Sequence, residues 1–579
     1  MNIDFINRVG STFTLKEKYE ISIIFILSII TSIFEMLGVF SIIPFMSLLT
    51  NPEYITNNIY FSYISNLYSL SLMESKIYFG ILIIILFIFS NLMNIATLWY
   101  TMNFIAGYQS RISTAVLNKY MQNSYNFFIS SDHSILSKNI LDESCILADG
   151  VVYALLQIIT KSLIIFAISI LMVSINPELF LGSIFLFTVI YFLIFVRYKK
   201  ILFNIGVDRV KANNQRYKNT REVLSNIKDV KYYSLEEFYI KKYNTSAHDF
   251  AFLNAKRNLI SLLPRYIIEI ITFGTIFTGI IYLIASNESL LLNVPMISMF
   301  LLAIYRIVPL LQNIFTNTAN IKSSEHVFDN IETILNTDSY NRIKGNPVKS
   351  FKERINFLDV SFGYDNNSNI LSNISLSINK GDTYAIIGGT GVGKTTIIDL
   401  LLGFYKINSG KITIDGTLLK DNSFNSINHI IGYVSQSISY IGDNILKNIT
   451  FSEHNNSADM KKVNKVIKVA QLTELVESLD GGLYENIGDM GSMLSGGQKQ
   501  RLGIARTLYR EPEILILDEA TNALDKETEL NILNNIKKYY PGITLIMITH
   551  RNTYLEHCNK IIEVSSNKVS VRTSKTCMS

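Results

Sequence analysis

The sequence predicts two domains of different fold class: an α-helical membrane-spanning domain with six spans, followed by an α/β domain built around a phosphate-binding loop. Residues 20–320 hold nearly all the long apolar runs of a chain that is 49% hydrophobic and only 17% charged. Residues 350–579 instead have the composition of a soluble domain, which usually carries about 25% charge. We therefore expect a transmembrane domain over 1–335, a linker over 336–352 and an α/β domain over 353–579.

Six apolar runs are each long enough to cross about 30 Å of hydrocarbon, which takes about 20 residues of helix. They cover roughly residues 20–48, 77–104, 151–174, 179–197, 258–285 and 292–315. Charged residues interrupt the third run at Lys161 and the fifth at Arg265 and Glu269. Single runs of this kind also occur as core helices of large soluble proteins, but six in one chain favour membrane spans.

The basic residues near the span ends predict the orientation of the chain. They lie at 8–18, 111–119, 197–200, 256–257 and 322, whereas the connections 51–75, 176–178 and 286–293 contain no Lys or Arg. Both termini and the α/β domain are therefore expected in the cytosol. The cytosolic connections, about 105–150 and 198–257, keep helical patterning, so their tips are expected to touch the α/β domain; solvated hairpins are the alternative.

Composition disfavours several other kinds of protein. The net charge is +5, and no cluster of Lys and Arg is dense enough to predict nucleic-acid binding. The three cysteines, Cys145, Cys558 and Cys577, have unrelated spacings, so neither a disulfide framework nor a cysteine metal site is predicted. A polar N-terminal segment before a long first apolar run predicts no cleavable signal peptide.

A phosphate-binding loop is the strongest local motif. Residues 388–395 match G-x-x-x-x-G-K-[ST] between an apolar strand at 384–387 and a helix at 396–404. Backbone N–H groups and the helix N-terminus would hold phosphate oxygens, Lys394 would neutralise the β- and γ-phosphates of ATP, and Thr395 would ligate Mg²⁺. The candidate ATP-binding residues here are Gly388, Gly389, Thr390, Gly391, Val392, Gly393, Lys394, Thr395 and Thr396.

Two carboxylates follow a second predicted strand. Residues 514–517 form an unbroken apolar run, which is typical of a strand buried on both faces. Asp518 would hold Mg²⁺, and Glu519 would polarise the attacking water. A strand that ends in solvated acids is a common alternative. The motif therefore indicates a catalytic site only in combination with the phosphate-binding loop.

A third motif, Leu494-Ser495-Gly496-Gly497-Gln498, resembles the LSGGQ signature of the ABC transporter ATPases. Other elements of that family follow in order. Tyr364 resembles the aromatic residue that stacks on adenine, Gln436 the glutamine that senses Mg²⁺ and the nucleophile, and His550 the switch histidine that contacts the γ-phosphate. Asp525 resembles the D-loop aspartate, with Asn522 where Ser is usual. The resemblance covers essentially all of 353–579.

The resemblance implies a working unit of two chains, with two cassettes and twelve spans. In this family the signature of one cassette closes over ATP bound to the other, so Ser495, Gly496, Gly497, Gln498 and Asp525 would act in trans. A homodimer with two competent sites is the simplest interpretation, and a heterodimer is the alternative. The implied catalytic residues are Glu519, His550, Gln436 and Lys394, and the implied Mg²⁺ ligands are Thr395, Gln436 and Asp518.

Charges within the spans are candidates for substrate contact, because a charge inside a membrane is costly. Lys161, Arg265 and Arg306 are expected in the cytosolic half of the membrane, with Glu35 nearer its middle. Arg265 and Glu269, at i and i+4, could neutralise each other. Lys161 and Arg306 would still leave a basic surplus that attracts an anionic headgroup.

An ATPase cassette placed after six spans on one chain resembles the exporters of this family, type I. The stretches 34–45, 263–269 and 303–309 resemble bacterial lipid-linked oligosaccharide flippases, although Ser90 stands where those proteins tend to have a basic residue. This resemblance implies ATP- and Mg²⁺-dependent flipping of a polyprenyl-diphosphate-linked glycan across the bacterial cytoplasmic (inner) membrane, for surface-glycan or glycoprotein assembly. The alternatives are a drug, peptide or lipid-A-type exporter, and a regulatory or channel-like protein of the family, which Glu519 disfavours.

Overall fold

The computed structural model describes most of the chain. The described residues are 3–50, 72–175, 177–285, 290–337, 348, 350–364, 369–419, 427–451, 458–488, 491–549, 558–565 and 568–573, without some side chains in 48–75, 178–199 and 264–296. They form two compact units, Met1–Gln122 with Ser131–Ser339, and Asn123–Ser130 with Tyr340–Ser579. The first is helical and the second is α/β, which confirms the predicted fold class.

Very long helices dominate the helical unit. Four of them contain 47 to 50 residues, so each is roughly 70–75 Å long at 1.5 Å per residue, more than twice the thickness of the hydrocarbon layer. The helices are α1 Ile3–Ser11, α2 Leu15–Phe40, α3 Ile42–Thr50, α4 Leu72–Met121, α6 His133–Lys138, α7 Ser144–Leu147, α8 Ala154–Ile175, α9 Pro177–Ser225, α10 Ile227–Tyr232, α11 Glu236–Ala285 and α12 Leu290–Asn336, with α5 Tyr125–Ser130 between α4 and α6.

Helices lie across all six predicted apolar runs. Within the described residues, four helical stretches are long and apolar enough to cross a membrane: Leu15–Ser47, Lys76–Met121, His133–Ile175 and Ile297–Asn336. The other two runs, 179–197 and 258–285, lie in α9 and α11. The predicted external connections lie largely outside the described residues.

Close backbone packing and a buried ion pair join the helices of this unit. A Cβ atom on Gly206 of α9 would lie only 2.3 Å from the carbonyl oxygen of Ser323 on α12, so only glycine fits this crossing. π-helical turns at Asn139–Glu143 and Ala148–Tyr153 interrupt the chain between α6 and α8. The ammonium of Lys138 donates to the carboxylate of Glu143, and both side chains are only 3% exposed.

The α/β unit contains two sheets. A four-stranded antiparallel sheet has the order β2-β1-β4-β5, and a six-stranded sheet has the order β10-β9-β3-β8-β7-β6, parallel except for β10. The strands are β1 Arg354–Phe362, β2 Leu371–Asn379, β3 Thr383–Gly388, β4 Ser409–Ile414, β5 Thr417–Leu418, β6 Ile431–Val434, β7 Ile514–Asp518, β8 Thr544–Ile548, β9 Lys560–Ser565 and β10 Lys568–Thr573.

Helices flank the parallel strands, and the site residues lie at one edge of the larger sheet. The helices are α13 Lys394–Leu401, α14 Ile445–Thr450, α15 Met460–Val469, α16 Thr473–Ser478, α17 Gly496–Leu508 and α18 Lys526–Tyr539. Strands β3, β6, β7 and β8 are parallel, so their carboxyl ends share an edge, where ligands bind in such sheets. The loop at 388–395, Gln436 and Asp518 all follow or end these strands.

The segment Asn123–Ser130, hereafter the first hairpin tip, packs with the α/β unit. The ring of Tyr125 lies 4.5 Å from the ring of Phe404 and 6.3 Å from that of Tyr405, measured between centroids. This tip therefore touches the α/β unit as expected. The tip of the second cytosolic connection, around α10, groups instead with the helical unit, and its residue Tyr232 is 79% exposed.

Candidate functional site

The phosphate-binding segment forms a turn between β3 and α13. Gly388, Gly391 and Gly393 have φ angles of 154°, 80° and 102°, in the region that favours glycine. A Cβ atom on Gly388 would lie 2.3 Å from the carbonyl oxygen of Val564, and one on Gly393 would lie 2.9 Å from Leu371 Cδ2. The loop conformation therefore requires glycine at these positions.

Lys394 begins α13 and is nearly buried, with 6% exposure. Its ammonium donates to the carbonyl oxygens of Gly388 and Gly389, at 3.0 and 2.7 Å, so the positive charge lies over the loop. The helix N-terminus adds a favourable dipole for an anion at the same place. Tyr364, the predicted adenine-stacking residue, contacts the same helix, because its hydroxyl lies 3.2 Å from Oγ1 of Thr396.

The two carboxylates after β7 have different surroundings. Asp518 is 4% exposed, and Oη of Tyr433 donates to its Oδ2 over 3.0 Å. Burial raises the pKa of Asp518, although the Tyr433 hydroxyl and the Lys394 charge act in the opposite direction. The Glu519 carboxylate accepts from Gln436 Nε2 at 2.9 Å and from Asn522 Nδ2 at 3.0 Å.

The backbone of Glu519 is itself strained. Its φ is 50°, a left-handed conformation that costs a non-glycine residue roughly 1–2 kcal/mol. Such strain tends to persist only where the surrounding structure enforces it, often at functional sites. Here the two side-chain amides of Gln436 and Asn522 hold the carboxylate.

The donor set fits Mg²⁺. Thr395, Gln436 and Asp518 offer a hydroxyl, an amide carbonyl and a carboxylate, which are the oxygen ligands this cation prefers. Since Nε2 of Gln436 donates to Glu519, its Oε1 is the end that can accept a metal.

The signature segment begins α17. Ser495 caps this helix: Gln498 N donates to Ser495 Oγ over 3.3 Å, and Ser495 N donates to Gln498 Oε1 over 2.8 Å. The D-loop lies beside it, because Ala523 N donates to Gln500 Oε1 at 2.8 Å. The side chain of Asp525 accepts from Thr528 N and caps the N-terminus of α18. His550 lies outside the described residues.

Sequence reasoning missed Tyr433 and Asp399 and gave Asn522 no role in the site. A tyrosine at the end of the apolar strand β6 was the available signal for the first. Asp399 lies on α13, where burial and the nearby Asp518 charge raise its pKa to about 6. No sequence pattern places it near Asp518, because that approach depends on how α13 packs on the sheet.

Asp399→Asn is expected to stabilise the nucleotide-free protein at high pH. The folded-state pKa of about 6 lies above the ordinary value of 3.8, so ionisation of Asp399 disfavours the fold. The penalty grows as pH rises from about 4 to about 6 and is complete above that range. We expect a gain on the order of 1–2 kcal/mol at pH 8 and a smaller gain at pH 5.

Thermal unfolding of the two proteins at pH 5 and pH 8 measures this difference, with a shift of about 2–4 °C per kcal/mol. Asp480→Asn, at an exposed aspartate, is the matched control and should change neither curve. A gain that is larger at pH 5 than at pH 8 would contradict the assignment.

A second group of predicted residues meets inside the helical unit. Glu35 on α2 is 6% exposed and accepts from Asn94 Nδ2 over 2.6 Å. Arg306 Nη1 lies 3.5 Å from Glu35 Oε1, and its guanidinium lies 5.4 Å from the ring centroid of Phe87. Lys161 interacts electrostatically with Glu35. The group, hereafter the Glu35 cluster, carries two basic residues and one acid.

Arg306 therefore has an internal partner in Glu35, a pairing not predicted from the sequence. Residue spacing along one helix can reveal partners one turn away, whereas this ion pair joins α2 to α12. The same contact puts Glu35 and Arg306 at one depth. Glu269 takes part in an interaction, whereas the side chain of Arg265 lies outside the described residues.

Ser90 belongs to the same face of α4 as Phe87 and Asn94, at spacings of three and four residues. Its hydroxyl is buried and has no hydrogen-bond partner among the described residues. An unsatisfied buried hydroxyl therefore lies on the face of α4 that carries the contacts with the Glu35 cluster.

Both the helical part and the α/β part of the chain match known protein families. Residues 21–319 match the family model described as the ABC transporter transmembrane region, and residues 371–522 match the one described as ABC transporter. A solved structure of a bacterial Atm1-family ABC exporter with ATP bound has the same fold, with a TM-score of 0.77 over 95% of this chain and 96% of that chain at 21% identity.

Some relatives are more similar to this chain in sequence than that exporter is, but the similarity covers a smaller part of the chain. The heterocyst differentiation ATP-binding protein HepA of Nostoc sp. is 32% identical over 62% of this chain and 58% of its own length. An ATP-dependent lipid A-core flippase of Ralstonia nicotianae is 34% identical over 43% of this chain and 42% of its own. The matching part of the chain thus covers 58% of the length of the first relative and 42% of the length of the second.

Proposed function

This chain belongs to the ABC transporter family, and from that premise we propose that it is one half of an ATP-driven exporter that works as a homodimer in the bacterial cytoplasmic membrane. The observation that carries the ATPase assignment is the Glu519 carboxylate, held by Gln436 and Asn522. The Lys394 charge over the glycine loop supports ATP as the ligand. Both termini and the α/β unit would lie in the cytosol.

We infer the following roles for the site residues. The glycine loop and Lys394 bind the phosphates, and Tyr364 stacks on the adenine. Glu519 orients the attacking water and accepts its proton, while Gln436 keeps the carboxylate in place. Thr395, Gln436 and Asp518 would hold Mg²⁺, which supplies charge neutralisation at the β- and γ-phosphates when bound.

A second copy of the chain would complete each ATP site. Ser495, Gly496, Gly497, Gln498 and Asp525 would reach the nucleotide of the partner, with His550 contacting the γ-phosphate from the same chain as Glu519. The helix that Ser495 caps has 13 residues, so its N-terminus can stabilise a phosphate charge. The sequence contains Lys394, Ser495, Glu519 and His550, so both ATP sites of a homodimer would be competent.

We propose that the cargo is a lipid-linked oligosaccharide of the polyprenyl-diphosphate type. The Glu35 cluster supports this, because Lys161 and Arg306 outnumber the single acid and suit an anionic headgroup. A diphosphate would compete with Glu35 for the Arg306 guanidinium, which binds phosphate and carboxylate oxygens alike. Arg265 and Glu269 on α11 would belong to the same cavity.

Transport of a fluorescent polyprenyl-diphosphate oligosaccharide by the reconstituted dimer tests the cargo. Arg306→Ala and Arg265→Ala/Arg306→Ala are expected to reduce transport about tenfold or more, since loss of one partner of a desolvated charge pair costs on the order of 2 kcal/mol. Glu35→Gln is expected to retain or raise transport, because it removes the competing carboxylate. Arg197→Ala, at an exposed arginine of α9, is the matched control.

Unchanged transport in Arg265→Ala/Arg306→Ala would contradict the proposed cargo, and equal losses in Arg306→Ala and Glu35→Gln would make the ion pair merely structural. The relative named as a lipid A-core flippase supports a second candidate cargo, a lipid of the lipid-A type. Drug-stimulated ATPase activity that is indifferent to these arginines would instead favour a drug exporter.

A further inference from the structure

Tyr433 lies between the first hairpin tip and the proposed Mg²⁺ site. We propose that Tyr433 is a positioning residue: its hydroxyl orients the Asp518 carboxylate, and the first hairpin tip sets the position of its ring. The inference rests on the proposed role of Asp518 in holding Mg²⁺. The first hairpin tip belongs to the same compact unit as Tyr433 and Asp518, so the proposed path lies within that unit.

The contact with Asp518 is a direct hydrogen bond. Oη of Tyr433 donates to Oδ2 of Asp518 over 3.0 Å, which leaves Oδ1 as the oxygen to face a cation. A group that fixes a metal-binding carboxylate in this way typically affects metal affinity about 10–100-fold.

The ring of Tyr433 is reached from the first hairpin tip through one intermediate. Tyr125 packs on Phe404 with ring centroids 4.5 Å apart, and Phe404 meets Tyr433 edge-on at 6.5 Å. Both distances are within the range of favourable aromatic pairs. Phe404 follows the C-terminal end of α13, the helix whose N-terminal end carries Lys394 and Thr395.

Both aromatic rings border a cavity. A cavity of about 320 Å³ is lined by Phe404 and Tyr433 together with Arg506 and Thr507. A displacement of the first hairpin tip would act on Phe404 beside this open space, and a shift of the Tyr433 ring would reach Asp518 through the hydroxyl.

Mn²⁺ binding, followed by electron paramagnetic resonance in the presence of ATP, tests the inference without relying on turnover. The full-length dimer carries Glu519→Gln throughout, so ATP stays intact. Tyr433→Phe removes only the hydroxyl and is expected to weaken Mn²⁺ binding about tenfold, with metal-free ATP affinity unchanged. The matched control is Tyr384→Phe, which removes a buried hydroxyl that lies 3.3 Å from Asp382.

A double-mutant cycle tests the link to the hairpin tip. Tyr125→Leu is expected to weaken Mn²⁺ binding about threefold, and Tyr125→Leu/Tyr433→Phe should be no weaker than Tyr433→Phe alone, because both changes act through one hydroxyl. Ile129→Ala, at an exposed residue of the same tip, should have no effect. Effects of the two changes that simply multiply would overturn the path.

Asp518→Asn tests the proposed metal-binding role of Asp518 separately from the positioning role of Tyr433. If Asp518→Asn abolishes Mn²⁺ binding while Tyr433→Phe leaves it unchanged, the positioning role of Tyr433 fails and the proposed metal site stands. If Asp518→Asn itself leaves Mn²⁺ binding unchanged, the metal role of Asp518 fails, and the inference fails with it.

Discussion

Glu519→Gln is expected to lower the rate of ATP hydrolysis by about 10²–10⁴-fold, the range that a positioned general base contributes. The amide cannot accept the proton of the attacking water, while its size and its hydrogen-bonding contacts with Gln436 and Asn522 are nearly preserved. ATP binding should survive, so the variant should accumulate with ATP bound and its two cassettes closed.

Phosphate release by purified protein measures the hydrolysis rate, and size-exclusion chromatography with labelled ATP measures the trapped complex. Glu527→Gln is the matched control, since Glu527 is exposed in the first turn of α18 and outside the site. Retention of more than a tenth of the parent activity would rule out Glu519 as the base. It would also favour a different route for the proton, such as His550.

Glu143→Leu is expected to destabilise the helical unit by about 3–5 kcal/mol, the usual effect of removing one partner from a buried ion pair. Lys138, which is 3% exposed, would keep its charge and lose its carboxylate, and among the described residues Asn214 Oδ1 at 2.5 Å would be the acceptor that remains. Asn330 would also lose the carboxylate to which its side chain donates.

The double variant Lys138→Met/Glu143→Leu should recover most of that loss, because no unpaired charge then remains. Melting temperatures in detergent and the yield of folded protein report both effects. Glu236→Ala, at the exposed pair with Lys231, should leave the melting temperature unchanged. A double variant as unstable as Glu143→Leu would show that the charge of Lys138 is not the cause.

Motifs with a fixed local order predicted much of the ATP site. The glycine loop, the strand before Asp518 and the helix after Ser495 are local in sequence, and the structure places a strand, turn or helix at each. Their mutual approach follows from a general rule for parallel sheets, whose carboxyl ends share one edge. The spans were predictable for a similar reason, since apolar length alone sets them.

Contacts between distant residues were not predictable in this way. Tyr433 meets Asp518 because β6 pairs with β7 in a register that puts Val434 opposite Leu517. Glu35 meets Arg306 because α2 and α12 share the interior of the helical unit. Neither pairing leaves a periodic mark in the sequence, and one residue of register shift would move either contact.

The strained backbone at residue 519 has a consequence for how this protein can change over time. Glycine there would relax the left-handed conformation, and asparagine tolerates it better than glutamate does. Either replacement would also remove the carboxylate on which hydrolysis is proposed to depend. Selection for a more stable fold and selection for activity therefore act in opposite directions at this one position.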